Sequence, residues 1–189
     1  YCDEGKYSNR IIIPSYDSEG QLNFFVGRDF YSSNLKYLNS FTSKDVIGFE
    51  LFINWEEPII LCEGVFDAMA FRRNAIPLFG KIVLENLKKA VVENKVKNIN
   101  IALDRDARAK ALQSCEYFIN NGVSVTLVDL EDDDPSDLGF SKITNIIQES
   151  KVLTPYLLMG MRFTIPALLL VWWFPLPKGL YLDLFKVSF

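Results

Sequence analysis

The sequence contains no histidine, and this absence excludes several kinds of catalytic and metal site. A serine–histidine triad, a histidine general base and histidine-ligated zinc all require that side chain. The cysteines, Cys2, Cys62 and Cys115, lie too far apart to form a Cys-x-x-Cys pair. We therefore expect no zinc in this chain and no disulfide framework, and we expect Cys62 and Cys115 to be buried free thiols in a reducing cytoplasm.

Long apolar runs and an excess of positive charge are also missing. The uncharged stretch 163–177 is shorter than the ~20 apolar residues that a membrane helix needs, and prolines interrupt it. We therefore do not expect a membrane partner. The net charge of −4 argues against broad nonspecific binding to nucleic acid, although it leaves room for a local basic groove.

The first part of the chain has the pattern of a β-hairpin. Residues 10–14 read as a strand closed by Pro14, residues 17–20 as a turn, and residues 22–30 as a returning strand. We expect residues 31–39 to be irregular, followed by a short element up to Phe52. Because the chain begins with Tyr1 rather than Met, we expect it to be a fragment of a longer protein.

From Pro58 onward, strand patterns alternate strictly with helix patterns. Such alternation predicts βαβ units and a mostly parallel sheet flanked by helices. The predicted strands are 59–63, 76–79, 98–104 and 123–130, and the predicted helices are 66–73, 82–94, 107–120 and 141–150.

Carboxylates follow two of these predicted strands. Glu63 ends the first strand, and Asp104 and Asp106 end the third. The carboxyl ends of parallel strands meet at one edge of a sheet, so the three acids should lie together. Such a cluster suits Mg²⁺, which prefers oxygen ligands. If each motif is considered by itself, Glu63 would be an acid favoured at a helix N-terminus, and the Asp-x-Asp pair would belong to a solvated loop.

Two further groups of acids are less clear. Asp67 either braces the turn after Glu63 or binds metal, and the sequence leaves both roles open. The run of aspartates ending at Asp134 follows the predicted strand 123–130, so it opens at the same sheet edge. A run of this kind is usually a solvated loop. We nevertheless predict Asp134 to be a ligand of a second metal ion, with Asp137 as a weaker candidate.

Three features in this order resemble a TOPRIM domain. They are a strand ending in Glu63-Gly64, a helix with Asp67, and a strand ending in Asp104-x-Asp106. DnaG-type primases, topoisomerases and OLD-family nucleases share that module. The segment from Asp134 to Asp137 resembles the Asp-Pro-acid segment of the primases. The N-terminal segments 10–14, 24–28 and 36–39 resemble the region that precedes TOPRIM in DnaG-type primases, closest to the helicase-partnered primases of tailed phages.

The resemblance covers roughly residues 8–155 and implies the domain organisation. Residues 1–55 would form a partial basic primase subdomain built on the β-hairpin. Residues 56–151 would form the TOPRIM catalytic domain, an α/β fold with a mostly parallel sheet. Residues 152–189 would be an atypical apolar tail.

The resemblance also implies the activity, which is synthesis of short RNA primers on single-stranded DNA from ribonucleoside triphosphates. The partner would be a replicative helicase, in the cytoplasm of a bacterial host if a phage encodes the chain. Mg²⁺, or Mn²⁺ in its place, would be held by Glu63, Asp104, Asp106 and Asp134. Template or nucleotide would be contacted by Arg10, Arg28, Lys36 and Asn39, and Tyr37 could stack on a base.

Lys81 follows a predicted strand end, where a cation could meet phosphate. DnaG-type primases also carry a zinc ribbon, and its ligands are missing here, so poor initiation is expected. The alternatives are a TOPRIM nuclease or topoisomerase fragment, and a catalytically silent module that binds single strands or a helicase.

Overall fold

A three-stranded antiparallel sheet precedes a five-stranded, mostly parallel sheet in the computed structural model of the chain. The structure describes residues 1–31, 35–72, 74–103, 108–130, 138, 140–150 and 152–153, with only the backbone of residues 108–111. Helices flank the parallel sheet. The predicted α/β class with a mostly parallel sheet and a small antiparallel N-terminal sheet is confirmed.

The N-terminal sheet contains β1 (Arg10–Tyr16), β2 (Leu22–Asp29) and β3 (Tyr37–Asn39), in that order. The prediction that Pro14 closes the first strand is wrong, because β1 continues to Tyr16. Since β1 lies at the edge of the sheet, the missing N–H of Pro14 is tolerated there. The prediction that residues 31–39 are irregular is also wrong at its end, because residues 37–39 form β3.

The second sheet has the strand order β5-β4-β6-β7-β8. Its first four strands run parallel, and β8 pairs antiparallel with β7. The strands are β4 (Ile59–Cys62), β5 (Ala75–Pro77), β6 (Asn98–Ala102), β7 (Ser124–Leu127) and β8 (Val152–Leu153). The helices are α1 (Val65–Phe71), α2 (Glu85–Glu93), α3 (Arg108–Asn120) and α4 (Phe140–Glu149).

β8 was not predicted, because residues 152–153 were placed in the C-terminal tail. Leu153 is buried and pairs with Val125 of β7, so these two residues belong to the sheet. Tyr1–Leu153 form one compact unit. The remainder of the predicted tail, residues 154–189, lies outside the described residues.

An apolar cluster joins the two sheets at the carboxyl ends of β4 and β5. Phe24 and Val26 of β2 are buried against Val65, which opens α1, and against Phe79, which follows β5. The rings of Phe24 and Phe79 have centroids 4.3 Å apart. The antiparallel sheet is therefore held beside the edge where the predicted catalytic acids begin. None of the helices in the described part of the chain has the length and hydropathy of a membrane span.

Candidate functional site

Glu63 directly follows β4 at the junction with the N-terminal sheet and is half-buried. β4 pairs in parallel with β6, and Cys62 lies opposite Ala102. Glu63 and Leu103 therefore leave neighbouring strands at the same edge of the sheet. The other predicted metal ligands, Asp104, Asp106 and Asp134, lie outside the described residues, as does Asp137.

The turn after Glu63 is braced by Asp67. The Gly64 N–H donates to Oδ2 of Asp67 at 2.9 Å, so the side chain of the third helical residue reaches back to the residue before the helix. This bond satisfies a backbone donor at the start of α1. Of the two roles considered for Asp67, bracing the turn is the one this geometry supports. Metal binding by Asp67 stays a prediction.

Two carboxylates lie near the Cys62 thiol at the carboxyl end of β4. Burial raises the pKa of the Cys62 thiol well above its ordinary value, and the nearby carboxylates of Asp67 and Glu63 raise it further. The carboxylates of Asp67 and Glu63 therefore both lie near the Cys62 thiol. The described residues alone contain no group of three potential ligands for a metal ion.

Arg28 and Tyr37 form an aromatic and cationic cluster with Phe66 at the start of α1. The Arg28 guanidinium carbon lies 4.5 Å from the ring centroid of Tyr37 and 5.5 Å from that of Phe66. Arg28 and Tyr37 are paired across β2 and β3, so their side chains share one face of the sheet. We call this the inner face, because it packs towards α1.

Asn39 and Lys36 lie beside this cluster. Asn39 is opposite Val26 on the inner face, and its Oδ1 is buried without a hydrogen-bond partner among the described residues. A buried acceptor without a partner is uncommon, and a donor from a bound ligand or water would satisfy it. Lys36 is exposed, with its Nζ 5.9 Å from the Tyr37 centroid.

Arg10 is separated from the other predicted basic residues. It pairs with Asp29, one position away from the pair Ile11–Arg28, so its side chain lies on the opposite, outer face. Only 6% of Arg10 is exposed, and its guanidinium donates to the carbonyls of Gly27 at 3.4 Å and Leu35 at 2.8 Å. This geometry favours a structural role, and contact with template or nucleotide stays a prediction.

Lys81 lies close to Glu63 along the backbone. The N–H of Gly80 donates to the carbonyl of Glu63 at 3.2 Å. Before it, Phe79 adopts a left-handed conformation with φ +52°, and its carbonyl accepts from Lys44 Nζ at 3.0 Å. The loop after β5 thus brings the half-buried Lys81 to the same edge as Glu63.

Two residues of this site were missed by the sequence reasoning. Phe66 was assigned only to a helix, and Lys44 was not singled out. The alternation from Lys36 to Asn39 was a signal for β3, and with β3 in place the pairing of Tyr37 with Arg28 could have been foreseen.

No family model matches the chain. It is 27% identical over 133 residues to an uncharacterized protein of Mycoplasma genitalium, covering 64% of this chain and 61% of that protein. It is 26% identical over 113 residues to the DNA primase of Thermotoga maritima, covering 53% of this chain and 20% of that protein.

Solved structures with a similar fold are bacterial primase catalytic cores. The Aquifex aeolicus primase, with its zinc-binding and RNA polymerase domains, matches at TM-score 0.70 and 23% identity over 87% of this chain and 46% of that one. The DnaG primase catalytic domain bound to single-stranded DNA matches at TM-score 0.70 and 20% identity, over 82% and 56%. The chain thus has the fold of DnaG catalytic cores and spans about half of their length.

Proposed function

We propose that this chain is the catalytic core of a DNA primase that synthesises short RNA primers on single-stranded DNA. The observation that carries the proposal is the parallel pairing of β4 with β6, which brings Glu63 and Leu103, the residue before Asp104, to one sheet edge. The likeness to primase cores, one of them bound to single-stranded DNA, supports it. Cytoplasmic location, phage origin and a replicative helicase as partner belong to the same proposal.

The chemistry of the acids fits a divalent cation. Carboxylate oxygens are the preferred ligands of Mg²⁺ and Mn²⁺, and the carboxylates of Glu63 and Asp67 lie near the end of β4. Glu63, Asp104 and Asp106 would hold one ion, and Asp134 would contribute to a second. When bound, such ions activate the attacking hydroxyl and neutralise triphosphate charge.

The chain's own cations would orient the nucleotide and the template. Arg28 presents a forked donor to phosphate beside Tyr37 and Phe66, whose rings suit stacking on a base. Lys36 and Lys81 would add positive charge beside the bound template and nucleotide. The Oδ1 of Asn39, which has no partner among the described residues, would accept a hydrogen bond from the nucleotide. Positioning and charge stabilisation would supply most of the rate.

The test is primer extension on single-stranded DNA with labelled ribonucleotides and Mg²⁺, with and without an annealed starter oligonucleotide. We expect the wild type to extend the starter better than it initiates, because the chain lacks zinc-ribbon ligands. Glu63→Gln and Asp104→Asn should each lower extension by about 100-fold or more. The control is Glu93→Gln, which makes the same chemical change on an exposed residue at the end of α2.

A second readout does not depend on activity. Mg²⁺ should raise the melting temperature of the wild type and of Glu93→Gln, and it should do so much less for Glu63→Gln. Cleavage of the DNA in place of extension would move the chain to the TOPRIM nucleases and topoisomerases. Binding of single strands with neither reaction nor Mg²⁺ stabilisation would contradict the proposal and favour a silent binding module.

A further inference from the structure

The inner face of the N-terminal sheet is covered at one end and open at the other. Phe24 is 1% exposed and Val26 is 5% exposed, because α1 and Phe79 pack on them. Just beyond the end of β2, Phe30 is 45% exposed, and the adjacent Tyr31 is 63% exposed. The chain therefore passes from the core to an open surface within a few residues.

Three aromatic rings pack against one another beyond the end of β2. The centroids of Tyr1 and Phe30 are 5.0 Å apart, and those of Phe30 and Tyr31 are 4.5 Å apart, with the rings tilted in both pairs. Tyr1 is 68% exposed, so the group remains accessible to solvent. We call Tyr1, Phe30 and Tyr31 the aromatic shelf.

The shelf continues the surface of the candidate site. The N–H of Phe30 donates to the carbonyl of Asn9 at 3.4 Å, which extends the pairing of β2 with β1 by one residue. Phe30 is two residues beyond Arg28, so both side chains lie on the inner face. Asp29, between them, lies on the outer face opposite Arg10, and its charge is directed away from the shelf.

Tyr1 reaches the same face through β1. The bridge between Cys2 and Arg10 places Tyr1 beside Ile11, and Ile11 is paired with Arg28. A row of side chains therefore crosses the sheet from Tyr1 through Ile11 and Arg28 to Tyr37. Tyr1, Ile11 and Tyr37 of this row are 68%, 46% and 43% exposed, and Arg28 is half-buried.

We propose that the aromatic shelf stacks unpaired bases of single-stranded DNA and extends the template path outward from Arg28. The inference rests on the proposed function. Aromatic faces bind bases of any sequence, and a neighbouring cation holds the phosphates, which is the combination found in single-strand binding surfaces. Continuity with the Arg28, Tyr37 and Phe66 cluster favours this ligand over a protein partner.

The test measures binding of the full chain to a fluorescent single-stranded oligonucleotide by anisotropy. The double variant Phe30→Leu/Tyr31→Leu keeps the apolar bulk and loses the stacking faces. We expect its dissociation constant to rise about tenfold, since each stacked base contributes about that factor or more. The matched control is Phe52→Leu, because Phe52 is 71% exposed and lies outside the N-terminal sheet, so binding should be unchanged.

Two comparisons separate stacking from charge. The salt dependence of binding should be unchanged in the double variant, and it should be shallower in Arg28→Gln, which loses a phosphate contact. Abasic sites in the oligonucleotide should weaken binding by the wild type and leave the double variant unaffected. If the double variant misfolds, Tyr31→Leu alone gives the same comparison, provided that its melting temperature matches that of the wild type.

Equal affinity of wild type and double variant, or an equal response of both to abasic sites, would overturn the inference. So would a wild type that binds no single-stranded DNA, which would leave the shelf to a protein partner. Shelf-dependent binding without any primer synthesis would contradict the proposed function alone. Primer extension measured on the same preparations of wild type and double variant separates the two results.

Discussion

At the scale of single residues, burial controls the chemistry of the thiols. Cys62 and Cys115 are free and fully buried, as predicted, whereas Cys2 is half-buried near the start of the chain. Burial raises the pKa of the Cys115 thiol to about 12 and that of Cys62 well above its ordinary value. Because the thiolate is the reactive form, these two side chains should be inert at neutral pH.

We expect a thiol reagent at pH 8 to modify Cys2 in the native protein and all three cysteines in denaturant. The raised pKa of Cys115 also makes stability depend on pH. The stabilising contribution is complete below the ordinary value of 9.0 and is lost as the pH rises towards about 12, because only the unfolded chain ionises readily in that window. Wild type should therefore lose about 1 kcal/mol relative to Cys115→Ala between pH 8 and pH 10.

Urea unfolding of both proteins at the two pH values measures this difference. Parallel changes in wild type and Cys115→Ala would contradict it. Rapid modification of Cys62 in the folded state would show that the carboxyl end of β4 is open.

The positions of Glu63 and Asp67 could be predicted from the sequence, because both follow an apolar run that forms β4. Their roles stay predictions. The face on which Arg10 lies could not be foreseen, because it depends on the register of β1 with β2. A shift of one residue would have reversed every side chain of that strand.

At the scale of elements, Gly48 sets how closely the segment before the second sheet can approach β5. Gly48 is buried, and an added Cβ would lie 2.5 Å from the carbonyl oxygen of Pro77 and 2.7 Å from its ring. The backbone of an edge strand cannot move away without breaking its pairing with β4. Only glycine fits at this contact.

Gly48→Ala should therefore lower the free energy of unfolding by about 2 kcal/mol, as expected for overpacking against backbone. The matched control is Gly80→Ala, because a Cβ at Gly80 would meet no atom within 4 Å. That variant should be neutral or slightly stabilising. Chemical denaturation of the three proteins measures both effects, and equal losses in the two variants would disprove the steric explanation.

The elements themselves were largely predictable from apolar periodicity. The strands and helices after Pro58 lie within about three residues of their predicted positions, because buried parallel strands read as short apolar runs. β3 and β8 were not predicted. Each has three residues or fewer, which is too short for a clear periodic pattern, and β8 pairs with β7 across more than 20 residues of sequence.

At the scale of the molecule, the cluster around Phe24 should make the two sheets unfold together. Phe24→Ala would leave a cavity between β2, α1 and Phe79. We expect it to cost about 3–5 kcal/mol, and Phe52→Ala to cost less than about 0.5 kcal/mol because Phe52 is 71% exposed.

Hydrogen exchange of the β2 and β4 amides checks the coupling. Both strands should lose protection equally in Phe24→Ala, as for a single cooperative unit. Loss confined to β2 would show that the N-terminal sheet opens independently. It would then be a separate body attached at the carboxyl edge of the parallel sheet.

The short outer strands have a consequence for behaviour in concentrated solution. β3 and β5 have three residues each, β8 has two, and β1 carries a proline, so each sheet edge offers few free main-chain donors and acceptors. Edges of this kind are poor templates for a strand from another molecule. Crowding should therefore not lead to fibrils through strand addition at the four sheet edges of the described residues, and aggregation at those edges would first require unfolding.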